Sequence, residues 1–250
     1  MFQSEGKEGN HHGQLEELSR LTGELAHEIK NPLSTIKVNL RLISEELEQF
    51  RTSVCGKNSA GVDDQRFARL LRKMAVIQKE ADRLEQILNG FLRYVGKTEL
   101  QLATVDINEL VSDMIDFYSP QAYAHSITVR HTLCHKPLFC SVDAGMLKQV
   151  ILNLFINAQH AMSNGGELMI KTAEEKQNAV IQISDTGTGI STDKLQYIFE
   201  PYHSFKPNGS GLGLATAKKI IDAHNGAINV DSTLGKGTQF TIKLPLQNGG

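Results

Sequence analysis

The chain has 250 residues, of which 40% are hydrophobic and 22% charged, enough apolar material to bury a sizeable core in one or two domains. A net charge of -2 and a pI near 6.5 exclude the basic excess of a generic nucleic-acid binder, so no direct nucleic-acid contact is expected. No apolar run reaches the roughly 18 residues needed to cross a bilayer, and no signal-peptide pattern opens the chain.

In chain order, residues 1–13 are polar and Gly-rich and read as a disordered lead or an expression remnant. From Leu15 to Phe50 apolar residues recur at helical spacing, through Leu18, Leu25, Ile29, Ile36, Leu40, Ile43 and Leu47. A second run repeats this through Phe67, Leu70, Met74, Ile77, Ala81, Leu84, Leu88, Phe91 and Val95. Between them Thr52–Asp64 holds Gly56, Asn58, Ser59 and Gly61, a breaker-rich loop. The pattern predicts an antiparallel helical hairpin over 14–97, whose single stripes call for a second copy in a homodimeric four-helix bundle. Cys55, Cys134 and Cys140 lack metal-site spacing; Cys134 and Cys140 could pair, and reduced thiols in a cytoplasmic protein are the preferred reading.

Residues 98–105 read as a linker, with Gly96–Thr104 as hinge, and 106–250 as a second domain. There the pattern predicts helices at Asn108–Tyr123, Ala144–Met162 and Leu212–His224. Strands are predicted at Ile127–Leu133, Leu138–Val142, Glu167–Ala173, Ala179–Asp185, Ala227–Ser232 and Gln239–Leu246. The fold class is therefore a helical hairpin followed by an α/β sandwich with helices on one face of a sheet.

Three segments of this second domain bear chemistry. Asn153 and Asn157 stand one turn apart on a helix, where they either bond to nearby backbone or offer two amide oxygens to a hard cation. Asp185 ends an apolar strand before Gly187 and Gly189, and serves either a plain turn or a ligand amine that needs an acceptor. Gly209, Ser210, Gly211, Leu212 and Gly213 lead into a helix, where unpaired N–H groups suit phosphate. In the first domain Glu24, His27, Asn31 and Ser34 share a face distinct from the apolar seam, which leaves His27 in solvent. Its imidazole has a reference pKa near 6.5, so a nitrogen lone pair is open for attack at neutral pH. Pro32 removes a helical hydrogen bond one turn later and should kink the helix.

The order N-x-x-x-N, D-x-G-x-G and G-x-G-L-G-L resembles the ATP-binding domain shared by histidine kinases, gyrase B, Hsp90 and MutL. Ile198-Phe199-Glu200-Pro201-Tyr202 and Gly235-Lys236-Gly237-Thr238-Gln239-Phe240 are similar to further boxes of the histidine kinase branch. His27-Glu28-Ile29-Lys30-Asn31-Pro32-Leu33 looks like the phospho-acceptor box of the same family, closest to its nitrogen-regulator type. The resemblance implies that His27 accepts phosphate from ATP and passes it to an aspartate of a response regulator. Glu28 would orient the imidazole or take its proton, and Asn31 would position water in a regulator phosphatase reaction. Asn157, supported by Asn153, would hold Mg2+. Asp185 would bind the adenine amine, directly and through a water near Thr238, with Gly187, Gly189 and Ile190 shaping the base pocket. Gly209, Ser210, Gly211, Leu212 and Gly213 would meet the phosphates, beside a mobile lid from about Phe199 to Gly209. One position departs from the pattern: His160 stands where many members carry Lys or Arg, and Lys206 is either a substitute cation for the phosphates or a solvated loop residue. Two other uses of these parts are a dimeric ATP-binding scaffold without transfer, which His160 favours, and a regulator phosphatase built on Asn31. No membrane segment belongs to the chain as read, which suits the cytoplasmic portion of a larger or membrane-associated sensor.

Overall fold

A computed structural model describes residues 22–23, 25–26, 29–47, 60–95, 100–203 and 211–247. They fall into two compact units that part after Val95. Among the described residues no helix is long and apolar enough to cross a membrane.

The first unit is a pair of helices. The first, α1, covers residues 29–47, with helical residues also at 22–23 and 25–26. The second, α2, runs Ala60–Val95 over 36 residues. It starts inside the stretch expected to be a loop and continues through Gly61. One glycine costs a helix only about 1 kcal/mol, which so long a helix offsets elsewhere. Lys73 Nζ meets Glu46 Oε1 at 2.6 Å and joins the two helices through a half-buried ion pair. Ile36 and Ile43 of α1 and Leu70, Ile77 and Leu84 of α2 are half-buried, and Ile87 is buried. The helix runs through Pro32, which is itself buried.

The second unit is a five-stranded sheet with helices packed on one face. Its elements are β1 (Ala103–Asp106), α3 (Ile107–Ala124), β2 (Ile127–Thr132), β3 (Phe139–Val142), α4 (Ala144–Ala161), β4 (Gly166–Glu175) and β5 (Asn178–Asp185). They continue with α5 (Thr192–Leu195), α6 (Gly213–Ala223), β6 (Ala227–Thr233) and β7 (Gly237–Pro245). The sheet order is β2-β4-β5-β7-β6, with β2 parallel to β4 and every other pair antiparallel. Ala103–Asp106, expected to be mostly linker, instead pairs antiparallel with β3 as a separate two-stranded ribbon.

Alternation along β5 and β7 turns Ala179, Ile181 and Ile183, and Phe240, Ile242 and Leu244, toward the helices. They meet Val150, Ile151 and Leu154 of α4 and Ala217, Ile220 and Ile221 of α6 in one continuous core. Side-chain caps fix where two of the helices begin. Asp106 Oδ1 accepts the N–H groups of Asn108 and Leu138 at 2.9 and 3.0 Å, so it both starts α3 and fastens β3. Asp143 accepts from Met146 at 3.0 Å through Oδ1 and from Gln101 at 3.0 Å through Oδ2. The Asp143 N–H in turn donates to His224 Nε2 at 2.9 Å, which leaves Nδ1 to carry the ring proton toward the Ile220 carbonyl at 2.8 Å. A buried histidine thus joins the end of α6 to the start of α4.

Candidate functional site

The inner face of the sheet changes character at one end. Strand register sets Ile181, Ile242 and Ile228 side by side, then Ile183, Phe240 and Val230. The next row is Asp185, Thr238 and Ser232. Residues paired across antiparallel strands point to the same face, so a polar step ends an apolar wall. Asp185 is 8% exposed and Thr238 6%, a depth at which polar groups must be satisfied.

The turn after β5 is built around that step. Asp185 Oδ1 accepts the Gly187 N–H at 2.8 Å, an Asx-type turn that brings one carboxylate oxygen onto the residue two positions ahead. Thr188 N–H donates to Ala161 O at 3.1 Å, and Gly235 N–H to Thr188 O at 2.7 Å. The turn is therefore pinned both to the end of α4 and to the β6–β7 connection. Gly189 has φ +67°, and a Cβ there would lie 2.2 Å from the Thr233 carbonyl oxygen. Gly237, at the start of β7, passes so close under Asp185 that a Cβ would stand 1.9 Å from its carbonyl oxygen. Ile190 is half-buried, and its N–H donates to Ser232 Oγ at 2.8 Å.

The second cluster lies where α4 passes the start of α6. Asn153 Nδ2 donates to Gly213 O at 3.2 Å, and Asn157 follows one turn later, half-buried. Leu212 is buried and precedes the first helical residue, and its carbonyl accepts the Thr216 N–H at 2.8 Å. Gly211 is half-buried with φ +66°. No carboxylate occupies the first turn of α6, so the positive end of that helix is left uncompensated by an acidic neighbour in its own turn. His160 is exposed in the last turn of α4. Beside it Gln159 Oε1 accepts from Tyr118 Oη at 2.5 Å and from Gln121 at 3.0 Å. Burial pushes the Tyr118 phenol up to about 12, so it remains a donor throughout the neutral range.

Asn31 is exposed on α1, and its backbone carbonyl accepts from Thr35 Oγ1 at 3.3 Å. His27, Glu28, Lys206, Gly209 and Ser210 lie outside the described residues. The fold brings together Asp185 with Thr238, Asp185 with Gly187, and Asn153 with Gly213. Sequence reading passed over Ser232, whose hydroxyl acquires its neighbours only through strand register, and His224, whose bond to Asp143 spans 81 positions.

The arrangement fits a nucleotide: a buried wall of oxygen acceptors suits an amine-bearing base, and a glycine-bounded helix start suits phosphate. Residues 142–248 match the family described as histidine kinase-, DNA gyrase B- and HSP90-like ATPase, which places an ATP-binding domain on this sheet. Residues 17–97 match the His Kinase A (phospho-acceptor) domain. Together these domains make the chain a member of the sensor histidine kinases of two-component systems, comprising their catalytic core.

The sensor histidine kinase ZraS of Salmonella typhimurium is 35% identical over 230 residues, covering 92% of this chain. The chain spans 46% of that relative's length. Among solved structures, full-length ShkA in complex with AMPPNP shares 25% identity over 88% of this chain and 47% of its own, with a TM-score of 0.62. Histidine kinase ThkA in complex with the response regulator protein TrrA has a TM-score of 0.72 over 96% of this chain and 66% of its own, and at 22% identity attests the fold.

Proposed function

We propose that this chain binds Mg-ATP on its second unit, phosphorylates His27, and passes the phosphoryl group to an aspartate of a response regulator receiver domain. The observation that carries this reading is the buried row of Asp185 and Thr238 at the end of an otherwise apolar sheet face, together with a glycine-bounded start of α6 on the same unit. Asp185 would accept from the adenine amine, with Thr238 beside it and Gly187, Gly189 and Ile190 forming the turn around the base. The N–H groups at Gly211, Leu212 and Gly213 would meet the phosphates, joined by Gly209, Ser210 and Lys206, with His160 near the far end of α4.

The amide pair fits a divalent cation. Asn153 commits its nitrogen to Gly213, which leaves the amide oxygen as its acceptor end, and Asn157 stands one turn on. Among the described residues no cluster of three or more His, Cys, Asp and Glu forms an all-protein metal cage. Mg2+ is the cation that such a sparse set suits; Asn153 and Asn157 would hold it, and it would neutralise triphosphate charge.

In the transfer, a lone pair of the His27 imidazole attacks the terminal phosphorus; the P–N bond forms as the P–O bond to ADP breaks. Glu28 orients the ring or takes its remaining proton. An aspartate oxygen of the regulator then attacks phosphorus, the P–N bond breaks and His27 is restored. Asn31, exposed on α1, would position water for the regulator phosphatase reaction. Such chemistry rests on positioning and charge stabilisation more than on covalent help from the protein.

The acting species is a homodimer in this reading. Leu33, Leu40 and Leu47 on α1 and Phe67, Met74 and Leu88 on α2 recur at multiples of seven and are 40–63% exposed. An uncovered heptad stripe on both helices is what a second hairpin would bury in a four-helix bundle. The hairpin, from about residue 14 to 97, serves as dimerisation and phosphotransfer domain, and the segment between Val95 and β1 as hinge.

Incubation with γ-labelled ATP tests the proposal. The expected product is an acid-labile, base-stable label on the chain, absent from His27→Ala and strongly reduced in Asn157→Ala. A label of that kind persisting in His27→Ala would overturn it.

A further inference from the structure

The polar row has a third member to which no role has been given. Ser232 Oγ lies 2.8 Å from the Ile190 nitrogen, 2.8 Å from the Gly237 carbonyl oxygen and 3.0 Å from Thr238 Oγ1. A hydroxyl owns one proton and two lone pairs. The Ile190 N–H can only donate and the Gly237 carbonyl can only accept. These two neighbours use the Ser232 proton and one lone pair. The contact with Thr238 then closes only if Thr238 gives its own proton to the second lone pair. With that proton turned toward β6, Thr238 has lone pairs alone for anything seated beside it.

We infer that Ser232 is a positioning residue that sets base specificity: by holding the Thr238 hydroxyl as an acceptor, it makes the pocket wall select a 6-aminopurine over a 6-oxopurine. The inference rests on the nucleotide reading of this site. Asp185 faces Thr238 in register, so the step presents a carboxylate and an acceptor-only hydroxyl on neighbouring strands. An amino group brings two N–H bonds to such a wall. A 6-oxo group brings lone pairs against lone pairs in a place that is less than a tenth exposed, which leaves buried acceptors unpaired. Without Ser232 the Thr238 hydroxyl is free to rotate and donate, and the penalty on the oxo group falls.

The test is equilibrium binding of ATP and ITP to the full chain, which differ in the base edge and share ribose and triphosphate. Wild type should prefer ATP. Ser232→Ala should cut the ATP-to-ITP affinity ratio by roughly tenfold, with ITP binding held or improved. Ser232→Thr, which keeps the hydroxyl, should restore the ratio. Thr238→Val removes the oriented hydroxyl without touching the bonds of Ser232 to Ile190 and Gly237, and should also lower the ratio. In that background Ser232→Ala should shift both nucleotides equally. Equal loss of both nucleotides in Ser232→Ala, as a merely structural role would give, overturns the inference; so does an unchanged ratio in Thr238→Val, an arm that stands even if Ser232→Ala does not fold. Wild type that binds ATP without preference over ITP sinks this inference alone. Wild type that binds neither sinks the nucleotide reading itself.

Discussion

The side-chain amide of Asn153 reaches across from α4 to the carbonyl of Gly213, the first residue of α6, at 3.2 Å. The carbonyl it holds belongs to the turn that the proposed function assigns to phosphate. Asn153→Ala should therefore weaken ATP binding about five- to tenfold, the worth of one hydrogen bond between partly buried groups. Asn153→Asp keeps a cation-binding oxygen but replaces the donor with a second acceptor facing Gly213 O. If the bond to Gly213 matters as argued, it should bind ATP no better than the alanine variant at saturating Mg2+. Calorimetric titration of both variants checks this, and near-wild-type affinity in Asn153→Asp would restrict the residue to the cation.

Gly189→Ala should cost stability as well as binding. The position combines φ +67° with a Cβ only 2.2 Å from the Thr233 carbonyl oxygen, a backbone atom that cannot swing aside. Strain and overpacking of this kind cost about 2–3 kcal/mol together. The variant should melt several degrees lower, and denaturant unfolding should show a reduced midpoint with an unchanged slope.

Asp143 gives the second unit a defined acid sensitivity. Its carboxylate accepts the N–H of Met146 and then that of Gln101, and these bonds hold it below its ordinary value of 3.8. A depressed folded-state pKa contributes stability that is full above the unfolded value and is lost as pH falls through the folded value. Unfolding followed from pH 6 downward should therefore show a stability loss that begins near pH 4. Asp143→Asn should be less stable at pH 6 and flatter across that acid limb. Parallel acid limbs in the two proteins would contradict the assignment.

The exposed heptad stripe makes the dimer testable at one residue per helix. Leu40→Glu or Met74→Glu puts a charge where a second hairpin would pack, and should shift the chain from dimer to monomer in sedimentation equilibrium. Both side chains are at least half exposed in the isolated hairpin, so helix content should change little. Mixing His27→Ala with Asn157→Ala then reads the geometry of transfer: label recovered in the mixture means phosphorylation between subunits, and none means within one. Leu40→Glu should abolish any such recovery.

Much of the second unit was legible because its strands carry period-two apolar runs and its helices carry apolar faces of ordinary length. Those signals originate in burial, which leaves a local trace. β1 left none: Ala103-Thr104-Val105-Asp106 is too short and too mixed to show alternation, and it is a strand because β3 lies beside it. The start of α2 was obscured by Gly61, a breaker by local preference that a 36-residue helix overrides. Within the site, glycines and carboxylates were readable because their spacing is local. Ser232 looked like any serine, since its meaning comes from lying opposite Thr238, and His224 owes its role to an aspartate on another element.

The tie between His224 and Asp143 acquires weight when taken with that between Asn153 and Gly213. The first couples the end of α6 to the start of α4; the second couples the start of α6 to a point some nine residues into α4, roughly 15 Å along. The short helix α6 is thus held at both of its ends against the first half of α4, and the two antiparallel helices resist sliding past one another. The tie at the far end of α6 falls on Asp143, whose carboxylate also holds the Gln101 N–H, so the brace extends to the chain that leads into β1.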